Sequence, residues 1–268
     1  MPKNLSRVTV APAIEQFYTP IHAAMTNAGN SVEGLRPTMA EFVDALRAFA
    51  IPSTGVALDA GSGGTATLAI ACSDHGFRSV QAIDLNHDSL RLARTVIEEK
   101  HRWNVGLTCG SVLAMPFGDD AFDFAGCVGV AHHTPEPVKA VAELARVLKP
   151  GGKLYFSVYC SADSAFEAVV RMLRWVGARV PFQTMRAFFP KSLVWNNFVL
   201  DHTYVPILWL FRAEEVRKLL AQHHLSITGE WSSRMDPFAH WGRIGRWMSG
   251  DGLMRVWLCE KQQQTGPK

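Results

Sequence analysis

The chain has 268 residues, 48% hydrophobic and 19% charged, a size and polarity at which one large core closes and separate domains are optional. Its most apolar long stretch, Val205 to Phe211, is broken by Pro206 and followed by Arg212, well short of the roughly 20 apolar residues of a membrane span. The formal charge is +3: residues 151–268 hold 15 Lys and Arg against 9 Asp and Glu, the first 150 hold 12 against 15, and the two parts are +6 and −3.

The basic residues are spread singly, which describes a solvated surface with some pull on an anionic substrate and leaves no stripe for nucleic-acid phosphates. Met1 to Ser6 shows neither a secretory nor a lipidation pattern, so a cytoplasmic location is expected. The five cysteines, Cys72, Cys109, Cys127, Cys160 and Cys259, form no C-x-x-C pair or zinc spacing. They are expected to be reduced and mostly buried, and no metal site is expected. Oligomeric state is not legible.

In chain order, residues 1–52 are expected to form a helical cover, with Met39, Phe42, Val43, Leu46 and Phe49 at helical spacing before Pro52. Residues 53–160 alternate short β-branched runs with amphipathic stretches, the pattern of a parallel sheet flanked by helices. The strands expected there are 56–60, 79–84, 105–110, 122–128 and 153–159. A helix bearing Val138, Val141, Leu144, Ala145 and Leu148 on one face ends at Pro150-Gly151-Gly152. Residues 161–212 break the rhythm and read as an insertion. A helix over 213–224 and strands over 225–231 and 253–260 complete a final segment, 213–262, before a short polar tail. The fold class is therefore α/β, doubly wound around a mostly parallel seven-stranded sheet, as one domain with a cover and an insertion. Seven of the eight tryptophans fall after residue 150, consistent either with an aromatic-rich lid over a pocket or with large rings filling the insertion's own core.

The sharpest signal is Val56-Ala57-Leu58-Asp59-Ala60-Gly61-Ser62-Gly63-Gly64-Thr65, an apolar strand ending in an acid and running into glycines. Residues without side chains let a ligand approach the backbone, and the N–H groups at the start of the next helix point toward it. The G-x-G-G-T register does not supply the dinucleotide spacing. Asp84 ends the next strand, 25 residues after Asp59, where a carboxylate offers adjacent ribose hydroxyls two acceptor oxygens. The alternative role for Asp84 is a helix cap, for which Asn86 or Asp88 is better placed.

Together with Gly110-Ser111-Val112-Leu113-Ala114-Met115-Pro116-Phe117, the run Phe122 to His133, and Glu143-Leu144-Ala145-Arg146-Val147-Leu148-Lys149-Pro150-Gly151-Gly152, these segments resemble class I S-adenosylmethionine (SAM)-dependent methyltransferases. The resemblance is to the small-molecule branch related to quinone and sterol methyltransferases, and it runs from about Val56 to Val158. It implies SAM as cofactor, with Gly61 and Gly63 against it and Asp59 helping to hold its ammonium group, directly or through water. It further implies an adenine site formed by Ser111, the Val112 N–H, Leu85 and Leu113. Ser111 departs from the family's usual aspartate, and a hydroxyl accepts more weakly than a carboxylate. The run Phe122 to His133, Cys127 among its residues, would line the reaction face, and Tyr18 resembles the tyrosine with which related enzymes close over the methionine end.

The implied reaction is transfer of a methyl group to a small molecule, apolar or aromatic with an anionic group, by alignment and exclusion of water. If the acceptor carries a proton a base is needed, and His132, His133 and His202 are the candidates, the Asp201-His202-Thr203-Tyr204 group offering a carboxylate that can orient a base or forming a surface turn. Tyr204 and His22 are further candidates from the covering segments. A SAM-binding protein without methyl transfer is the alternative. A nucleic-acid methyltransferase is disfavoured because no Asn-Pro-Pro-Tyr tetrad follows the fourth strand.

Overall fold

The computed structural model describes residues 3–4, 18, 36–182, 184, 201–234, 236, 238 and 241–263. His22, Trp195 and most of the expected N-terminal cover lie outside the described residues.

A short strand β1 (Lys3–Asn4) is followed by α1 (Arg36–Ala48), β2 (Val56–Ala60), α2 (Thr67–His75), β3 (Ser79–Asp84), α3 (His87–Glu99), β4 (Val105–Cys109) and β5 (Phe122–Val128). A 3-10 turn (Ala131–His133) leads into α4 (Pro137–Val147) and β6 (Leu148–Tyr159). Beyond these come α5 (Ala165–Gly177), β7 (Trp209–Leu210), α6 (Ala213–Gln222), β8 (Leu225–Ser232), α7 (Gly242–Ser249) and β9 (Met254–Lys261).

Seven strands form one sheet in the order β4-β3-β2-β5-β6-β9-β8, and β9 runs antiparallel to both its neighbours. The order reverses at β2, which pairs in parallel with β3 on one side and β5 on the other. Doubly wound sheets open a ligand crevice at the carboxyl ends of the strands at such a point.

The two-residue period of each strand sorts its side chains between two cores. Phe122, Ala125 and Cys127 of β5, Leu154, Phe156 and Val158 of β6, and Trp257 and Cys259 of β9 meet α4 and α6 on one face. Phe124, Tyr155, Val256 and Leu258 meet α1, α2 and α3 on the other. The helical spacing read in the sequence therefore has a packing cause: Phe42 and Leu46 of α1 are 3% and 2% exposed, and Val141 and Leu144 of α4 are fully buried.

One boundary differs from expectation. The chain leaves α4 directly into β6, which starts at Leu148 rather than at Lys153. Leu148 pairs with Phe122 and Lys153 with Phe124, so Pro150-Gly151-Gly152 is an irregularity inside the strand. Helix α1 is pinned to the sheet by buried Glu41, which accepts hydrogen bonds from the Trp231 indole (3.1 Å), the Ser233 hydroxyl (3.0 Å) and the Arg234 N–H (3.0 Å).

The described part of the insertion has its own small core, in which Phe166 and Val170 of α5 pack with Val205, Leu208, Leu210, Phe238 and Leu253. The described tryptophans are dispersed, and Trp209 of the insertion donates its indole N–H to the Thr134 carbonyl at 3.0 Å. Trp257 is in the sheet's core, Trp231 stacks on Phe49, and Trp175, Trp241 and Trp247 are exposed.

Candidate active site

At the carboxyl ends of β2, β3 and β5 lies a cavity of about 250 Å³, lined by Tyr18, Gly61, Gly63, Asp84, Leu85, Asn86, residues 111–113, residues 128–130, His133, Thr134 and Pro135. A wider depression of about 740 Å³, bordered by Pro150, Lys261 and Gln262, sits at the opposite, amino-terminal edge of the parallel strands. The crevice at the strand reversal is the one that the topology prepares for a ligand.

The glycine turn forms one wall. Gly61 has φ +88° and a Cβ there would collide with the Val130 side chain, so neither the backbone conformation nor the space tolerates another residue. Gly63, at φ +59°, donates its N–H to Asp84 Oδ2 at 2.8 Å. The Asn86 N–H donates to Asp84 Oδ1 at 2.8 Å. Each carboxylate oxygen keeps a second lone pair, so Asp84 is fixed in place and can still accept from a diol. The helix cap is Asn86, whose side chain accepts from the N–H groups of Asp88 and Ser89.

Asp59 lies under this turn and is not among the residues lining the cavity. It is 3% exposed and accepts the Ala69 N–H at 3.0 Å; burial, only partly offset by that bond, pushes its carboxyl up to about 7.

The opposite wall is the segment after β4. The Ser111 hydroxyl accepts from the Leu113 N–H at 3.1 Å and turns the chain so that Val112 and Leu113 face the cavity. This segment is held from behind, where the Met115 N–H donates to Glu143 and the Arg146 guanidinium donates to the carbonyls of Met115 and Phe117. The sequence motif containing Glu143 and Arg146 thus acts at the cavity through backbone positioning.

The third wall follows β5 and brings the histidines together. His133 lines the cavity. Its Nδ1 lies 2.9 Å from the Ile207 carbonyl oxygen, and its Nε2 lies 3.3 Å from Asp201 Oδ2. Asp201 also accepts the hydroxyls of Tyr18 and Tyr159, each at 2.8 Å. Burial alone would raise the Asp201 carboxyl, but the His133 ring beside it and the hydrogen bonds from His133 and Tyr18 hold it far below the usual carboxylate range. Burial, reinforced by Asp201, pushes both tyrosines far above theirs.

His132 points away from the cavity. It is fully buried, 4.0 Å from the ring centroids of both His133 and Tyr159, and neither of its nitrogens has a hydrogen-bond partner among the described residues. Burial, with His133 nearby, drives its pKa far down. His202 is fully buried between Tyr159 and Phe166, and Cys127 lies in the core with its thiol pushed up to about 12 by burial. Neither lines the cavity. Tyr204 lies elsewhere in the insertion, its hydroxyl donating to the Val180 carbonyl.

Of the residues expected at the cofactor, the structure gathers Tyr18, Gly61, Gly63, Asp84, Leu85, Ser111 and Val112 around one cavity and places Asp59 behind it. The sequence did not single out Tyr159, Thr134, Pro135 or Asn86 as site residues. Tyr159 carried one available signal, its place at the carboxyl end of a strand.

The sheet order and the place of this cavity resemble those of class I methyltransferase domains. Residues 58–156 match the family described as methyltransferase domain. The chain is 34% identical over 117 residues to an uncharacterized methyltransferase, YcgJ, of Bacillus subtilis, covering 43% of this chain and 46% of that one. It is 30% identical over 100 residues to the ubiquinone biosynthesis O-methyltransferase of Coxiella burnetii, covering 37% and 42%. The alignments thus span about half the length of these relatives. Among solved structures, YcgJ superposes with a TM-score of 0.57 at 18% identity, covering 84% of this chain and 99% of that one. The geranyl diphosphate C-methyltransferase of Streptomyces coelicolor gives 0.56 at 14%, covering 83% and 79%. Over residues 58–156 the chain is thus similar to methyltransferase domains, those of quinone biosynthesis among them. Among the described residues no helix is long and apolar enough to cross a membrane.

Proposed function

We propose that the protein binds SAM in the cavity at the strand reversal and transfers its methyl group to a small-molecule acceptor. The observation that carries this reading is Asp84, held at the carboxyl end of β3 by two backbone N–H groups with acceptor capacity left for a ribose diol. Gly61 and Gly63 leave room for the amino-acid portion beside the turn, and Leu85, Val112 and Leu113 offer apolar faces to a flat base. Asp59, buried behind the turn, is positioned to act on an ammonium group through the turn or a water. When bound, SAM supplies a methyl group on a sulfonium, which needs neither metal nor strong acid to leave.

The chain's own work is then to orient and to exclude water. Val128, Val130 and Pro135 make the cavity wall apolar, while Tyr18 is tied across it to Asp201. The apolar lining supports an apolar or aromatic acceptor, whereas the expectation of an anionic group on it has no Lys or Arg among the residues lining the cavity to support it. The histidine-base reading has weaker support, since both nitrogens of His133 already face acceptors, and His132 and His202 do not line the cavity.

Titration calorimetry with SAM and S-adenosylhomocysteine tests the cofactor reading. Asp84→Ala, checked for folding, should weaken binding by about a hundredfold or more, because charge-assisted hydrogen bonds contribute roughly 1.5–3 kcal/mol each. Formation of S-adenosylhomocysteine with a panel of acceptors tests turnover. Unchanged affinity in Asp84→Ala would remove the basis of the assignment.

A further inference from the structure

Adjacent helices α5 and α7 carry five of the seven large apolar side chains exposed among the described residues: Met172 and Trp175 on α5, Trp241 at the start of α7, and Ile244 and Trp247 within it. The exposure is built in. Of α7 only Gly245 and Ser249 are buried, and a Cβ on Gly245 would strike the Phe238 carbonyl oxygen. The helix therefore lies down on its small residues and turns Ile244 and Trp247, 65% and 69% exposed, toward solvent, the reverse of a helix that packs by its apolar stripe. Helix α5 is anchored through Phe166 and Val170, and at helical spacing Met172 and Trp175 come out on the far side.

The charge around this face has one sign. Arg179 lies 3.8 Å over the Trp175 ring and donates to the Trp175 carbonyl, and Arg243 and Arg246 are exposed on α7 with no ion-pair partner among the described residues. No Asp or Glu occurs between Glu167 and Asp201 or between Asp236 and Asp251, the stretches that contain these helices. Exposed tryptophan beside unpaired arginine, with aliphatic bulk from Met172 and Ile244, matches the interfacial layer of an anionic bilayer, where indole rings sit at headgroup depth and guanidinium groups meet phosphate. A second copy of this chain, docked face to face about a two-fold axis, would set these arginines against one another with no carboxylate to receive them. Single-stranded nucleic acid would engage the rings and the arginines but leave Met172 and Ile244 without a base plane to meet.

We propose that the α5–α7 face is a peripheral docking surface for a negatively charged lipid bilayer, with Trp175, Trp241, Ile244 and Trp247 entering the headgroup layer and the nearby arginines on its phosphates. Helix α5 follows the carboxyl end of β6, and α7 leads into β9, whose first residue, Met254, pairs with Tyr159. Both helices thus stand at the carboxyl edge of the sheet, the edge that holds the cavity, and docking turns that edge toward the membrane. The surface goes beyond the cofactor reading and does not depend on it.

The test uses the full-length protein and two kinds of vesicle, phosphatidylcholine alone and phosphatidylcholine with about 40% phosphatidylglycerol, read by co-sedimentation. The wild type should bind the anionic vesicles about tenfold or more tightly than the neutral ones, and more weakly as salt rises. Trp247→Ala, and Arg243→Glu combined with Arg246→Glu, should each weaken binding about tenfold or more, because an apolar anchor or two cationic contacts are lost. Trp103→Ala, at an exposed tryptophan before β4 on the opposite edge of the sheet, should change nothing. Brominated phosphatidylcholine in the vesicles should quench tryptophan emission more in the wild type than in Trp247→Ala. The substituted side chains are all exposed, and thermal unfolding checks each variant. No binding to anionic vesicles, equal binding to neutral ones, binding unchanged in both α7 variants, or an equal loss in Trp103→Ala would each overturn the proposal. So would a lipid-free dimer in sedimentation velocity that Trp247→Ala dissociates, or tighter binding to a single-stranded oligonucleotide that the same variant abolishes. Calorimetry of the wild type with S-adenosylhomocysteine is run beside these: its failure refutes the cofactor reading alone, and failure to bind vesicles refutes this inference alone.

Discussion

Asp59→Asn probes the electrostatics under the glycine turn. Asp59 is 3% exposed, hydrogen-bonded to the Ala69 N–H at 3.0 Å, and burial pushes its carboxyl up to about 7, against an ordinary value of 3.8. Below pH 3.8 the folded and unfolded states both hold the proton. Between 3.8 and about 7 the folded state keeps a proton that the unfolded state has released, so stability falls as pH rises, and above about 7 the loss is complete. The gap corresponds to a loss on the order of 4 kcal/mol at alkaline pH. Asparagine retains an oxygen for the Ala69 N–H and cannot ionise. The variant should therefore match the wild type near pH 4 and exceed it in stability by up to about 4 kcal/mol near pH 8.5, roughly 10 °C in Tm. Urea and thermal unfolding across that range measure this, and other titrating groups cancel in the difference between the two proteins. Saturating S-adenosylhomocysteine, whose ammonium would compensate the carboxylate, should narrow the gap at pH 8.5, and the variant should bind it more weakly. A stability difference that stays flat from pH 4 to pH 8.5 would refute the argument that burial without a compensating cation governs Asp59.

Three other substitutions test separate parts of the site. Gly61→Ala puts a methyl against Val130 at φ +88°, and should cost about 1–3 kcal/mol in unfolding free energy together with a loss of S-adenosylhomocysteine affinity by calorimetry. Asp201→Ala leaves Tyr18, Tyr159 and His133 without their common acceptor and should destabilise by about 3–5 kcal/mol at pH 7. Because Asp201 is held below its ordinary value of 3.8, its stabilisation is complete above that value and is lost as pH falls beneath it, so the deficit measured by urea unfolding should shrink in strong acid. Glu41→Ala removes the acceptor of the Trp231 indole, the Ser233 hydroxyl and the Arg234 N–H; a loss of about 2–4 kcal/mol with a changed Trp231 emission is expected.

The parts of the site that were legible in the sequence are those where the backbone does the binding. A strand that must be buried on both faces, a turn needing positive φ at Gly61 and Gly63, and a carboxylate one βαβ unit later are local requirements, and each leaves a residue type at a fixed spacing. The seven strands were legible for the same reason, since their period-two pattern serves two cores at once. The start of β6 was misjudged because Pro150-Gly151-Gly152 signals a break, while pairing of Leu148 with Phe122 carries the strand through it.

The acceptor side was not legible, and the reason is physical. Tyr18, His133, Tyr159 and Asp201 belong to four elements separated by as many as 183 residues, and what unites them is the need of one buried carboxylate for donors. In the sequence Asp201 stands beside His202, and the obvious pairing is with that neighbour. In the fold the chain around 201–204 is helical and Asp201 reaches His133 and two tyrosines, while His202 turns into the rings of Tyr159 and Phe166. A lone acid opposite three donors is expensive to bury and cheap to satisfy, so once Tyr18 and Tyr159 are tied to Asp201 the cover, the sheet and the insertion are fixed to one another at the cavity's edge.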